Sequence, residues 1–406
     1  MKNQYLKTAS GMYINYFLLG MVNIILASNM SYLTEQWDTD SAGISYIIAA
    51  IGFGKLLTYA LSGYLSDKIG RKPLVVVAAC AMGIFLVGIP LSPSYQLAFI
   101  FAVLAGIANS AMDAGSYPGL IEIFPKSSGS ASVLVKAFMA AGAMVLPFMI
   151  LFFSDHGMFY GYAFFIPATI YFLNMILLFT ASFPNRISSQ EGQVEENHKF
   201  ISEPIFRKEG LALVIIGFTS TGLFTVSQIW LPSYGEQVLG MTTASSIKLL
   251  SYYSFGSLVS VLILSVLLKK ILRPVTVIVI YPIVTFISIL IILMVKVPVV
   301  AAITSFFIGF STAGIFQLAI AIMTELFWRK KGTVTGIVAT AAGGAAIVMP
   351  LVTGLMSKSG KISIIFIFDA LLSVIGCIAA IFVYYRFEKL TKKAIEKEKQ
   401  EHRLHA

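Results

Sequence analysis

The sequence predicts an all-α membrane protein of twelve transmembrane helices, arranged as two pseudo-symmetric six-helix lobes. Three observations carry this. Of 406 residues, 57% are hydrophobic and 12% charged, with a mean hydropathy of +0.85. No water-soluble domain can bury that much apolar surface, so the bilayer has to act as solvent. The apolar residues gather into twelve runs long enough to cross about 30 Å of hydrocarbon. Finally, the second half of the chain echoes the first at a fixed register.

The first six runs cover 11–33, 43–64, 73–92, 96–121, 129–153 and 159–183. The second six cover 209–234, 246–268, 274–295, 299–324, 333–356 and 362–385. The opening residues, MKNQYLKTAS, include two lysines, but no small-residue cleavage site follows a short apolar core. The first run is also too long for a signal peptide, so it counts as span one. A polar stretch containing NRISSQEGQVEENHKF divides the halves, and KLTKKAIEKEKQEHRLHA closes the chain. The expected units are an N-terminal lobe (1–186), a linker (187–208), a C-terminal lobe (209–388) and a charged tail (389–406). The tail is expected to be solvated, with an amphipathic helix lying on anionic lipid as the alternative.

The net charge of +10 is explained by topology. Lys2, Lys7, Lys68, Arg71, Lys72, Lys126, Arg186, Lys199, Arg207, Lys208, Lys269, Lys270, Arg273, Arg329, Lys330, Lys331 and the tail all fall on one side. The other side keeps Lys248, Lys296, Lys358 and Lys361, with Glu35, Asp38, Asp40, Asp155 and Glu236. The positive-inside rule then places both termini and the linker in the cytoplasm of a plasma- or inner-membrane protein. Expected partners are a small-molecule substrate and membrane lipid, with no nucleic acid, and the chain is expected to act as a monomer. Cys80 and Cys377 have no metal or redox spacing and are expected as buried thiols.

The internal repeat runs at an offset of 203 positions, from Glu122-Ile123-Phe124 to Glu325-Leu326-Phe327. Gly129-Ser130 matches Gly332-Thr333, Ala141-Gly142 matches Gly344-Ala345, and Pro147 matches Pro350. Shared hydrophobicity alone does not hold a register for that long. Two six-helix units related by a parallel duplication are the architecture of two-lobed transporters, whose substrate site lies between the lobes. Glu122 and Glu325, near the same face, are expected to act as gate or loop-anchoring residues. Pro118, Pro147 and Pro350 are kinks that neighbouring helices can tolerate.

Between spans two and three stands Gly63-Tyr64-Leu65-Ser66-Asp67-Lys68-Ile69-Gly70-Arg71-Lys72. Physically it reads as a tight turn, with glycines letting two helix ends approach and basic residues holding the inner face. Asp67 is an anion available to a neighbouring helix N-terminus. The run resembles the G-x-L-S-D-x-x-G-R-K signature loop of the major facilitator superfamily, and falls at its expected place. With twelve spans and duplicated halves, the resemblance covers the whole chain. It implies the major facilitator fold, and gives Gly63, Asp67, Gly70, Arg71 and Lys72 a role in conformational switching rather than substrate choice. The counterpart between spans eight and nine, LLKKILRP, is degenerate.

Charges inside the membrane are expensive and point to function. Asp113 lies nine residues before Glu122, about 13 Å deep at the helical rise. Lys55 lies eight residues before Gly63, about 12 Å deep, and Lys136 is about as far into span five. Three ionisable groups from three helices of one lobe thus meet at one depth. Asp113 can exchange a proton, with Lys136 as its expected partner; snorkelling of the lysines is the competing reading. Asn23, Asn109, Gln228, Trp230, Tyr253 and Gln317 are candidate substrate-binding residues from other positions, suited to hydroxyl-bearing solutes and ring faces. Each also fits ordinary helix–helix bonding. Asp369 in span twelve reads as structural.

The run Asp113-Ala114-Gly115-Ser116-Tyr117-Pro118 is similar to the span-four run of fucose/glucose–proton symporters. That resemblance implies proton coupling at Asp113, with Gly20 and Asn23 resembling residues of the branch's first helix. Ala27 stands about where that branch has an aspartate. The span-four arginine and span-five glycine–proline run of drug–proton antiporters are missing. No G-x-x-x-x-G-K-[ST] run supports ATP-driven pumping, and no catalytic triad or metal-ligand cluster is visible. The expectation is a proton-coupled symporter, with the proton as coupling ion and no cofactor. Once Asp113 is protonated, its two lysines favour an anion such as a sugar acid or hydroxylated carboxylate. Proton-coupled efflux of an amphiphile, and a non-transporting membrane sensor, are the other readings; an enzyme is not expected.

Overall fold

Hydrocarbon offers a peptide backbone no hydrogen-bond partners, so long apolar stretches must satisfy themselves as helices. The computed structural model describes residues 5–124, 128–184, 204–270, 272–327 and 331–404. Among them, twelve helices are long and apolar enough to cross a membrane. Spans one to six are Leu6–Ser28, Ser41–Ile69, Arg71–Leu91, Tyr95–Ile123, Leu134–Asp155 and Tyr162–Thr180. Spans seven to twelve are Phe206–Gln237, Thr243–Leu268, Pro274–Met294, Pro298–Leu326, Val334–Ser357 and Ser363–Thr391. Spans two and four start at side-chain caps, where Asp40 accepts from Gly43 N–H (2.9 Å) and Ser94 from Leu97 N–H (3.4 Å).

The duplication shows in the packing. Span one packs on five, two on four and three on six; correspondingly seven packs on eleven, eight on ten and nine on twelve. Across the lobes, two meets eleven and five meets eight. Gly106 and Gly309, at the repeat offset, make equivalent joints. A Cβ on Gly106 would collide with the carbonyl oxygen of Ile51, and one on Gly309 with that of Tyr253. Spans two and four, and eight and ten, therefore touch backbone to backbone.

Four expectations change. The Gly63–Lys72 stretch is mostly helix: span two continues to Ile69, and Gly70 alone turns the chain, at φ 95°. A Cβ at Gly63 would meet nothing within 4 Å, so helix approach does not require that glycine in this conformation. Span ten is broken, its first helix ending at Thr312 and its second starting at Ile315, with Gly314 left-handed at φ 88°. The span-twelve helix runs without interruption from Ser363 to Leu404, through most of the residues read as a charged tail. The two cysteines are free, and half-buried rather than buried.

Most of the linker, 187–203, lies outside the described residues, as do Lys126, Arg186, Lys199, Arg329 and Lys330. Its last residues join a π-helical turn, Phe206–Gly210, that opens span seven. There the fully buried Glu209 takes Arg386 of span twelve at 2.6 Å and the Ile205 N–H at 2.9 Å.

The lobe-to-lobe contacts run from mid-span toward the ends opposite the chain termini. Ser233 donates to Met30 Sδ at 3.6 Å, and Ser251 to the Met144 carbonyl at 3.1 Å. Gly354 seats against Ser45 and Tyr46. The lobes are closed on that far side.

Candidate functional site

The backbone joint at Gly106 brings spans two and four close enough for their polar side chains to meet. Lys55 Nζ stands 2.8 Å from Asp113 Oδ2 and donates to Asn109 Oδ1 at 3.1 Å. Asn109 and Asp113 are four residues apart, so a single helix face presents both. The second carboxylate oxygen, Oδ1, accepts from the Tyr16 hydroxyl of span one at 2.8 Å. Tyr117, one turn past Asp113, meets the Tyr16 ring edge-on at 5.5 Å. Tyr59, one turn past Lys55, lies 5.9 Å under its ammonium. Nearer the terminal side, Ser110 bonds Thr58 (2.7 Å) and Ser62 (3.0 Å), and Ser66 donates to the Ala114 carbonyl (2.7 Å).

The predicted convergence of Lys55, Asp113 and Lys136 holds, but the pairing differs. Asp113 is held by Lys55, while Lys136 makes no ion pair among the described residues. It lies close enough to feel the charges of both Asp113 and Lys55. Spans two and four share the Gly106 joint and span five does not, which is why Lys55 takes the carboxylate. The Asp113 side chain is 11% exposed and that of Lys55 36%, so the pair is not sealed inside the lobe.

At the Gly70 turn, one guanidinium gathers three acceptors. Arg71 donates to Asp67 Oδ1 and Ser66 Oγ at 2.8 Å each, and to Glu122 Oε1 at 3.1 and 3.2 Å. Glu122 thereby anchors span four to the start of span three. Lys72 donates to the Ala181 carbonyl at 3.0 Å, holding the end of span six. The Asp67 side chain stays 70% exposed. Glu325 occupies the repeat-related place in the last turn of span ten.

The other candidates are scattered. Asn23 is exposed on span one, two turns from Tyr16 on the same face, and Gln317 is exposed just past the break in span ten. Gln228 is buried in span seven. Trp230 and Tyr253 are fully buried and commit their polar atoms to neighbouring helices, at Thr353 (2.8 Å) and Thr312 (2.9 Å). Those two hold spans together and do not contact the charged cluster. Asp369 is fully buried, and among the described residues its one hydrogen bond is from the Ser227 hydroxyl at 3.2 Å. Among the described residues, no group of three or more His, Cys, Asp or Glu side chains could hold a metal ion.

Sequence reasoning missed Tyr16, Tyr59 and Tyr117. The signal was present, since Tyr59 follows Lys55 and Tyr117 follows Asp113 by one helical turn each. The Glu209–Arg386 pair had no comparable signal, its members lying 177 positions apart.

Twelve spans in two duplicated lobes, with a polar cluster deep in one of them, define a multi-pass membrane protein of the two-lobed transporter class. The sequence profile of the Major Facilitator Superfamily matches residues 12–327 and, again, 253–405. The chain belongs to that superfamily. It is 63% identical over 393 residues to the uncharacterized MFS-type transporter YfkL of Bacillus subtilis (strain 168), covering 96% of this chain and 99% of that one. It is 38% identical over 379 residues to the inner membrane transport protein YdiN of Escherichia coli (strain K12), covering 93% and 90%. Among solved structures, a D-xylose-proton symporter superposes with a TM-score of 0.76 at 15% identity, covering 93% of this chain and 97% of the other. That likeness is one of fold.

Proposed function

We propose that the protein is a proton-coupled symporter that takes up a small hydrophilic organic anion, such as a sugar acid or hydroxylated carboxylate. The observation that carries this reading is the charge count at the cluster. Two ammonium groups, Lys55 and Lys136, share one carboxylate, Asp113, leaving a cation to spare. In the proposed cycle the cleft first opens away from the cytoplasm and Asp113 takes a proton. The neutral acid no longer holds Lys55, which swings with Lys136 onto the anion. Tyr16 and Asn109 keep the neutral acid and the freed amine from losing their hydrogen bonds. The lobes then rock, the cleft opens on the side that carries the termini, and proton and anion leave inward.

This departs from a scheme in which Lys136 is the group released, because Lys55 occupies the carboxylate. Purified protein in proteoliposomes, given an inward proton gradient and a panel of sugar acids and hydroxylated carboxylates, tests the reading. Uptake of at least one of them should need the gradient in wild-type protein and ignore it in Asp113→Asn. Gradient-driven uptake that survives in Asp113→Asn would remove Asp113 from the coupling role.

A further inference from the structure

Two carboxylates are fully buried among the described residues, and they are treated in opposite ways. Glu209 has the Arg386 guanidinium and a backbone N–H. Asp369 has neither. Its Oδ2 meets the Ser227 hydroxyl at 3.2 Å, and its Oδ1 is sealed from solvent without any partner. An ionised carboxylate in such a place costs far more than a neutral acid, and the group responds by binding a proton.

The surroundings offer no rescue for a negative charge. Span seven contributes Ser227; its Tyr234 and Glu236 are bonded to the Ile292 carbonyl and to Ser246, and its Arg207, Lys208 and Glu209 lie in the opening turn, about five turns from Ser227. Span eight contributes Tyr253, near enough to feel the Asp369 charge, but its hydroxyl is joined to Thr312. Span nine packs on span twelve where Ser373 donates to the Pro282 carbonyl, and its Tyr281 is bonded to Ser260. Span eleven faces Trp230 with Thr353; its helix has a lysine only at its first residue, Lys331, and Lys358 follows its last. No lysine, arginine or histidine pairs with Asp369 among the described residues. Through Tyr253 the surroundings lead to the break in span ten, where Thr312 ends one helix and Gly314 turns the chain.

We propose that Asp369 is a second proton-binding site, a carboxyl group that carries its proton inside the C-terminal lobe when the lobes are closed on the far side. The site takes one proton on a carboxylate oxygen and becomes a neutral acid bonded to Ser227; it returns the proton to water when that oxygen is wetted. It stands independently of the role given to Asp113.

Infrared spectroscopy of the purified protein in lipid nanodiscs at neutral pH tests this without any substrate. The carbonyl stretch of a neutral, buried carboxyl should appear in wild type and in Asp113→Asn, and vanish in Asp369→Asn. Ser227→Ala should keep the band and move its frequency, because the acid loses its only hydrogen-bond partner. That variant decides the matter if Asp369→Asn does not fold. A wild-type spectrum without the band, a band retained in folded Asp369→Asn, or a frequency indifferent to Ser227→Ala would overturn the proposal.

Discussion

Tyr16 and Lys55 hold the two oxygens of one carboxylate: the hydroxyl reaches Asp113 Oδ1 and the ammonium Oδ2, each at 2.8 Å. Spans one, two and four are thereby tied at a single point in the membrane. Tyr16→Phe should loosen the knot without changing its charge. We predict that it leaves the protein folded, shifts the pH at which uptake is half-maximal, and costs about 2 kcal/mol of stability, as expected for a hydrogen bond to a charged group. A pH profile identical to wild type would show that the hydroxyl does not tune the carboxylate.

Arg71 offers a second test. Its guanidinium holds Glu122 across the lobe and is largely buried. Arg71→Gln should destabilise the protein by about 2 kcal/mol, the scale of lost hydrogen bonds to charged groups. It should slow transport while leaving substrate affinity within experimental error. Thermal unfolding in detergent and uptake kinetics together check both halves.

The two repeat-related glycines should behave alike, and Gly63 differently. Gly106→Ala and Gly309→Ala each drive a methyl group into a backbone carbonyl, which cannot yield as a side chain would. Each should cost about 1–3 kcal/mol, the usual range for overpacking. Gly63→Ala enters open space and should be neutral or slightly stabilising in a helix. Equal melting temperatures for all three would refute the backbone-contact reading.

Closure on the far side can be trapped. Met30 and Ser233 face each other across the lobes at 3.6 Å. In a background lacking Cys80 and Cys377, Met30→Cys with Ser233→Cys should cross-link under oxidation and lose transport, and recover it on reduction. Cross-linking with transport intact would mean that the short helix after span one, Met30–Gln36, and span seven do not separate during the cycle.

Trp230 separates packing from binding. Its indole N–H bonds Thr353, whose own hydroxyl still reaches the Met349 carbonyl at 2.6 Å. Trp230→Phe should therefore cost only about 1 kcal/mol and leave substrate affinity unchanged. A large loss of affinity would return Trp230 to the binding site.

Helix count and the depth of the charges were legible because both follow from the 1.5 Å rise and the hydrocarbon thickness. Depth says that Lys55, Asp113 and Lys136 share a layer, but not which lysine faces the acid. That choice is set by rotation and by the Gly106 joint, which fixes spans two and four against each other. The break at Gly314 was equally hidden. Ser311-Thr312-Ala313-Gly314 reads as any small-residue stretch in a packed span, and only the backbone reveals the left-handed turn. Trp230 and Tyr253 were read as pocket residues for their chemistry. Their hydroxyl partners lie on other spans, 123 and 59 positions away, beyond the reach of local pattern.

The two lobes differ in what an electric field can do to them. With Asp113 ionised, the empty cluster of the proposed cycle carries one surplus positive charge. With a proton on Asp113 and a monovalent anion on the lysines, it carries the same surplus. Rocking in either state then moves no extra charge, so accumulation should follow the pH gradient and ignore membrane voltage. A proton crossing on Asp369 as well would break that balance, adding about 2.3 kcal/mol per 100 mV. The voltage sensitivity of uptake at fixed pH thus reports whether the hidden acid of the C-terminal lobe travels loaded or merely stays so.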